Sequence, residues 1–128
     1  MKKLLSLLVF ICASLLASNA HAEEQDGSFF LQSCGAAVKQ ADGGQLTQDE
    51  GAVALVCVAY ISGFLDAMTL TAKFTKGKRN VCTPERGVSN SQAARLLVKY
   101  LRENPQTLHE SGRMSLYIAL GKAFPCPK

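Results

Sequence analysis

The stretch "CVAYISGFLDA", Cys57 to Ala67, decides how the rest of this chain is read. It lies in a run from Ala52 to Leu65 that is almost continuously apolar. A membrane span needs about 20 such residues. Asp66 interrupts this run, and Ser62, Thr69 and Thr71 dilute it. The alternative is a helix apolar on every side, which in a soluble protein is the central helix of a core. Ala59, Gly63 and Ala67 are spaced four apart, so they form a stripe of small residues along which a second helix can close in. Glycine costs a helix roughly 1 kcal/mol against alanine. A close approach, or a kink at Gly63, is therefore expected to account for it.

Outward from this stretch, helix signals recur and strand signals do not. Thr47 and Glu50 form a capping box that starts the central helix, which runs to about Phe74. Lys73 and Lys76 sit near its end and Gly77 just past it, an arrangement that suits a helix C-terminus. Before it, Phe30, Cys34 and Val38 share one face of a helix from about Ser28 to Gln40, and "ADGGQ" (41–45) breaks that helix. After it comes a loop, "GKRNVCTPERGV" (77–88), and then a third helix from Ser89, with Gln92 as its capping partner, to Asn104. Ala94, Leu97, Val98 and Leu101 form its apolar face, with Arg95, Lys99 and Arg102 on another. Pro105 suits the first turn of a fourth helix that runs to about Phe124. The expected fold is a small all-α, four-helix domain.

The chain opens "MKKLLSLLVFICASLLASNAHA". Lys2 and Lys3, an apolar stretch and an A-x-A end are the parts of an export signal, with cleavage expected after Ala22. Ile11 precedes Cys12, where a lipid anchor needs a small residue, so Cys12 belongs to the discarded segment. Residues 1–22 are thus the leader and 23–128 the mature domain. Without Lys2 and Lys3, twelve basic residues remain against ten acidic ones. That balance is too mild to point to nucleic acid or to an anionic membrane.

Four of the five cysteines then remain: Cys34, Cys57, Cys82 and Cys126. An even count in a small exported chain implies disulfides in an oxidising compartment such as the periplasm. Facing residues of an antiparallel helix pair lie equally far from the turn. The midpoint of 34 and 57 falls at the edge of "DGGQ", and that of 82 and 126 falls on Asn104 beside Pro105. Pairing 57 with 82 puts the midpoint inside a helix. The expected bonds are Cys34–Cys57 and Cys82–Cys126.

Nothing in the sequence supports catalysis. His109 is the one histidine after residue 22, and a serine or cysteine nucleophile needs a base within reach. No cysteine spacing suits zinc, so no metal and no cofactor are expected.

The assembled blocks resemble the Rap/Tai immunity family. They are "CVAYISGFLDA" (57–67), "VCTPERGVSNSQ" (81–92), "LVKYLRENPQTLHESG" (97–112) and "ALGKAFPC" (119–126). The resemblance spans Cys34 to Cys126. It implies a small helical periplasmic protein, often a homodimer, that binds an amidase toxin delivered by type VI secretion. The toxin's cleft for the cell-wall peptide would be plugged. Gly112 departs from the alanine the resemblance leads one to expect, a change that would loosen the last helix. The partner-binding candidates are Phe74, Lys76, Lys78, Arg79 and Arg86, in a loop tethered by Cys82 and stiffened by Pro84. A stiffened loop loses less entropy on binding, and arginine and aromatic side chains make strong anchors. The alternative function is a periplasmic stress or chaperone-like helical protein without a dedicated toxin.

Peptide mapping without reduction is expected to yield linked fragments 34–57 and 82–126. A 57–82 fragment would overturn the hairpin geometry.

Overall fold

Asp26 starts the first helix. Its side chain accepts a hydrogen bond from the Phe29 N–H at 2.9 Å, which satisfies a donor that has no partner within the helix. The computed structural model describes residues 25–74 and 79–127. The expected leader, together with Lys76, Gly77 and Lys78, lies outside the described residues. Four helices follow in order: α1 Gly27–Ala41, α2 Gln48–Phe74, α3 Asn90–Glu103 and α4 Gly112–Ala123. Among the described residues there is no strand; two isolated bridges, Asp26 with Ser111 and Val81 with Pro125, tie the chain ends down. Both expected disulfides are present, Cys34–Cys57 and Cys82–Cys126, with Cα separations of 5.2 and 4.9 Å.

The two capping serine and threonine residues do what their spacing predicts. The Thr47 N–H donates to Glu50 and the Glu50 N–H donates back to Thr47 Oγ1, a closed capping box. Ser89 accepts from the Gln92 N–H at the start of α3.

α1 and α3 form the centre. α1 packs against both α2 and α3, and α4 lies mainly on α3. Phe30, Cys34, Leu97, Leu101, Leu116 and Leu120 are fully buried. Phe30 stacks at a tilt on Tyr60 of α2, ring centroids 4.5 Å apart. Lys122 of α4 sits 4.9 Å from the Tyr100 ring of α3, a cation–π contact across that helix pair.

α2 is therefore not the central helix, and this corrects the expectation drawn from its composition. It buries only Ala54, Cys57 and Ile61. Leu55, Val56, Val58, Leu70 and Phe74 are exposed, Phe74 by 82 %. The Ala59, Gly63 and Ala67 stripe also faces outward, and among the described residues no helix closes on it. A Cβ added at Gly63 would meet nothing within 4 Å. The backbone runs on as helix from Gln48 to Phe74, so a break at Gly63 is not the reason for the glycine either. By length and composition α2 could cross a membrane.

The fourth helix also starts later than Pro105. Pro105–Thr107 form a 3-10 turn instead. The Asn104 side chain donates to the Tyr100 carbonyl, closing α3. The carbonyls of Leu108 and Glu110 then accept from the Ser28 and Gly27 N–H groups of α1. The chain is held open here because it crosses the start of α1, and only then does it wind into α4.

Gly112 reverses a second expectation. A Cβ there would lie 2.1 Å from the Phe30 ring. Glycine does not loosen α4 at this point; it makes room for the largest buried side chain.

Ion pairs gather on the side of the turn between α1 and α2. Arg95 donates twice to Asp42, at 2.7 and 3.1 Å, and holds that carboxyl below its ordinary range. The Thr47 N–H, then Lys39, lower the pKa of Glu50 in the same way.

Gly112→Ala is expected to destabilise the domain by about 1–3 kcal/mol through overpacking against Phe30. Gly35→Ala, where a Cβ meets nothing within 4 Å, is expected to gain up to about 1 kcal/mol from helix propensity. Urea denaturation of both variants checks the pair.

Candidate functional site

The part of the α2–α3 connection from Val81 to Ser89 is held in place at several points. Val81 is buried and bridges to Pro125, and the Cys82 N–H donates to the Phe124 carbonyl at 2.9 Å. The Cys82–Cys126 bond adds a covalent tie at the same spot. Next, the Gly87 N–H donates to the Pro84 carbonyl at 2.8 Å, closing a turn. Gly87 has a φ of 77°, a conformation that favours glycine. Ser89 then caps α3. The loop is anchored at its C-terminal tail contact, at its turn and at the helix it feeds.

Between this loop and the C-terminal half of α2 lies a cleft of about 540 Å³. Its apolar floor includes Leu65, Met68, Val81 and Val88. Its charged lining is Asp66 and Lys73 from α2 and Arg79, Glu85 and Arg86 from the loop. None of these five charges is in an ion pair among the described residues. The contrast with the opposite side is direct. There Lys39 meets Glu50, Arg95 meets Asp42 and Lys99 approaches Glu103. The cleft thus offers an apolar floor, three cations and two carboxylates, none of them neutralised by a neighbour.

Of the candidates expected from sequence, Arg79 and Arg86 come together on this cleft. Phe74 does not line it; its ring stands exposed at the end of α2. Lys76 and Lys78 are outside the described residues. Asp66, Lys73 and Glu85 were not among those candidates. The spacing Asp66, Thr69, Lys73 places them on one side of α2, and that pattern was available in the sequence. Arg95, on the polar face of α3, pairs with Asp42 while remaining exposed. His109 is exposed. Among the described residues no group of three or more His, Cys, Asp or Glu side chains is placed to hold a metal ion.

The match that decides the family covers this whole architecture. A family model described as Rap1a immunity proteins matches residues 26–126. The chain belongs to the Rap1a immunity protein family. The match runs from the α1 cap to the second disulfide, so it includes all four helices and the anchored loop. No curated protein and no solved structure matches the chain.

Replacing Cys82 and Cys126 together by serine is expected to cost roughly 3–4 kcal/mol in the chain-entropy model. It should also free the loop: limited trypsin digestion should cut after Arg79 and Arg86 faster than in the native chain, while the Cys34–Cys57 bond stays closed. Unchanged cleavage would show that Val81 and the Gly87 turn hold the loop alone.

Proposed function

We propose that this immunity protein binds and occludes a peptidoglycan-cleaving amidase toxin delivered by type VI secretion. Residues 1–22 export the chain to the periplasm, and residues 23–128 act there as a homodimer. The protein has no chemistry of its own and works by stoichiometric binding. Family membership supports a toxin partner. The observation that carries the choice of surface is the cleft, whose five charges, three on the anchored loop and two on α2, are in no ion pair among the described residues.

A loop held in this way loses little entropy when a partner arrives. Its guanidinium groups can each grip a carboxylate or a carbonyl through two N–H donors. The apolar floor supplies area that gains free energy when water leaves it. Arg79 and Arg86 are fit for this because neither is in an ion pair among the described residues. A periplasmic address suits two disulfides, since that compartment keeps thiols oxidised.

The test is a titration against the type VI secretion amidase that the native chain binds. Arg79→Ala and Arg86→Ala are each expected to weaken binding by about 1–3 kcal/mol, the range of strong interface anchors, roughly tenfold or more. Circular dichroism and thermal stability should not change, since both side chains are exposed. Unchanged affinity in both variants would reject the cleft as the toxin surface. Loss of protection with intact folding in cells producing the toxin would support it.

A further inference from the structure

The outer face of α2 has an order that its lack of intramolecular partners does not explain. Ala59, Gly63 and Ala67 continue in both directions, to Val56 and Ala52 on one side and to Leu70 and Phe74 on the other. All seven are exposed. The gaps between them run four, three, four, four, three, four. That row is the same read from either end, and Gly63 is its middle. Steps averaging about 3.7 residues stay close to the 3.6-residue turn, so the row keeps to one side of α2 along its whole length and can meet another helix there.

We infer that two copies of the chain meet on this face, α2 antiparallel to α2, with a two-fold axis passing by Gly63. The inference rests on the dimeric reading above and adds to it the surface, the direction and the register. In this register Gly63 faces its own counterpart, and Ala59 faces Ala67 of the second copy. Val56 faces Leu70, and Ala52 leaves room for Phe74. Small residues meet at the centre and large ones fit opposite smaller ones toward the ends. A two-fold interface requires that kind of self-complementarity.

Charge selects the antiparallel direction. The first turn of α2 carries Asp49 and Glu50 and its last turn carries Lys73. The register places Lys73 level with Val53 of the second copy, within about one turn of Asp49, the acid that Lys39 does not hold. A parallel pair would set acid beside acid and Lys73 beside Lys73. It would also bring the two Asp66 carboxylates level, whereas the antiparallel register parts them by about 9 Å along the axis at 1.5 Å per residue. The same Asp66 and Lys73, exposed beside the seam, disfavour burial of this face in lipid. Gly63 gains a reason as well. Among the described residues nothing needs the missing Cβ, whereas a second helix crossing at Gly63 would.

The mature chain with both native disulfides is the material for the test. Gly63→Cys adds one free thiol per copy, and mild oxidation should link two copies almost completely. Val58→Cys, exposed on another side of α2, should stay largely unlinked. Sedimentation should give a dimer for the native chain and a monomer for Leu70→Glu, with helicity unchanged. A dimer that survives Leu70→Glu and does not link through Gly63→Cys overturns this surface and leaves the dimeric reading standing. A native chain that sediments as a monomer overturns both. If that monomer also floats with phosphatidylethanolamine–phosphatidylglycerol vesicles, the face is a lipid contact. Toxin titration is independent of all these outcomes.

Discussion

The Cys34–Cys57 bond is the constraint on which the arrangement of this domain depends. α2 is apolar on more than one side, so burial alone gives it little reason to prefer one orientation. Turned by half a rotation, it could bury Val56, Leu70 and Phe74 against α1 in place of Ala54, Cys57 and Ile61. Cys34 lies on the buried face of α1, between Phe30 and Ala37, and is fully enclosed. A disulfide requires its two Cβ atoms to come within roughly 3.5–4.5 Å of each other. Once it forms, Cys57 must face α1, Ile61 one turn later must follow it inward, and the opposite stripe must face out. The bond therefore selects a face as well as closing a loop.

The second disulfide has a different task. Cys82 and Cys126 are only half-buried, and the bond lies at the edge of the fold, where the loop meets the C-terminal tail. Its effect is on position more than on core packing. With Val81 buried beneath it and the Gly87 turn ahead of it, the bond keeps Arg79 and Arg86 over the cleft. On the other side of the molecule the charges are spent on holding helices together. Asp42 at the end of α1 meets Arg95 of α3, and Lys39 of α1 meets Glu50 of α2. One side is closed by its ion pairs and the other keeps its charges available.

Much of this was legible in the sequence where local chemistry decides the outcome. The capping residues Thr47 and Ser89 marked their helices, and the apolar positions of α3 matched its buried face. The disulfide pairing followed from distances to the two turns, because an antiparallel hairpin makes sequence position a measure of spatial position. The failures are of another kind. The buried face of α2 could not be read, since a pattern without contrast carries no phase. The late start of α4 depends on α1 crossing beneath residues 108–111, more than 80 positions away. Gly112 was read against a family expectation when the decisive neighbour was Phe30, equally distant in the chain. The partner of Arg95 could not be read either, because Asp42 lies 53 residues before it. The cleft was half legible: its loop carried the arginines, but Asp66 and Glu85 joined it only through tertiary packing.

The two proposed surfaces share one helix without competing for it. Leu65, Thr69 and Lys73 line the cleft on one side of α2, while Gly63, Leu70 and Phe74 belong to the outer stripe on another. Both lie in the second half of the helix. An antiparallel pair about Gly63 carries the second halves of its two helices to opposite ends, so its two clefts point away from the axis and remain open. Each cleft then lies near the acidic first turn of the other copy, where Asp49 adds negative charge beside Lys73. Pairing would thereby moderate the basic character of the cleft's α2 wall and leave Arg79 and Arg86, on the opposite wall, as its uncompensated cations. On this geometry a dimer offers two equivalent sites, one on each copy, about 18 Å apart along the helix axis at 1.5 Å per residue.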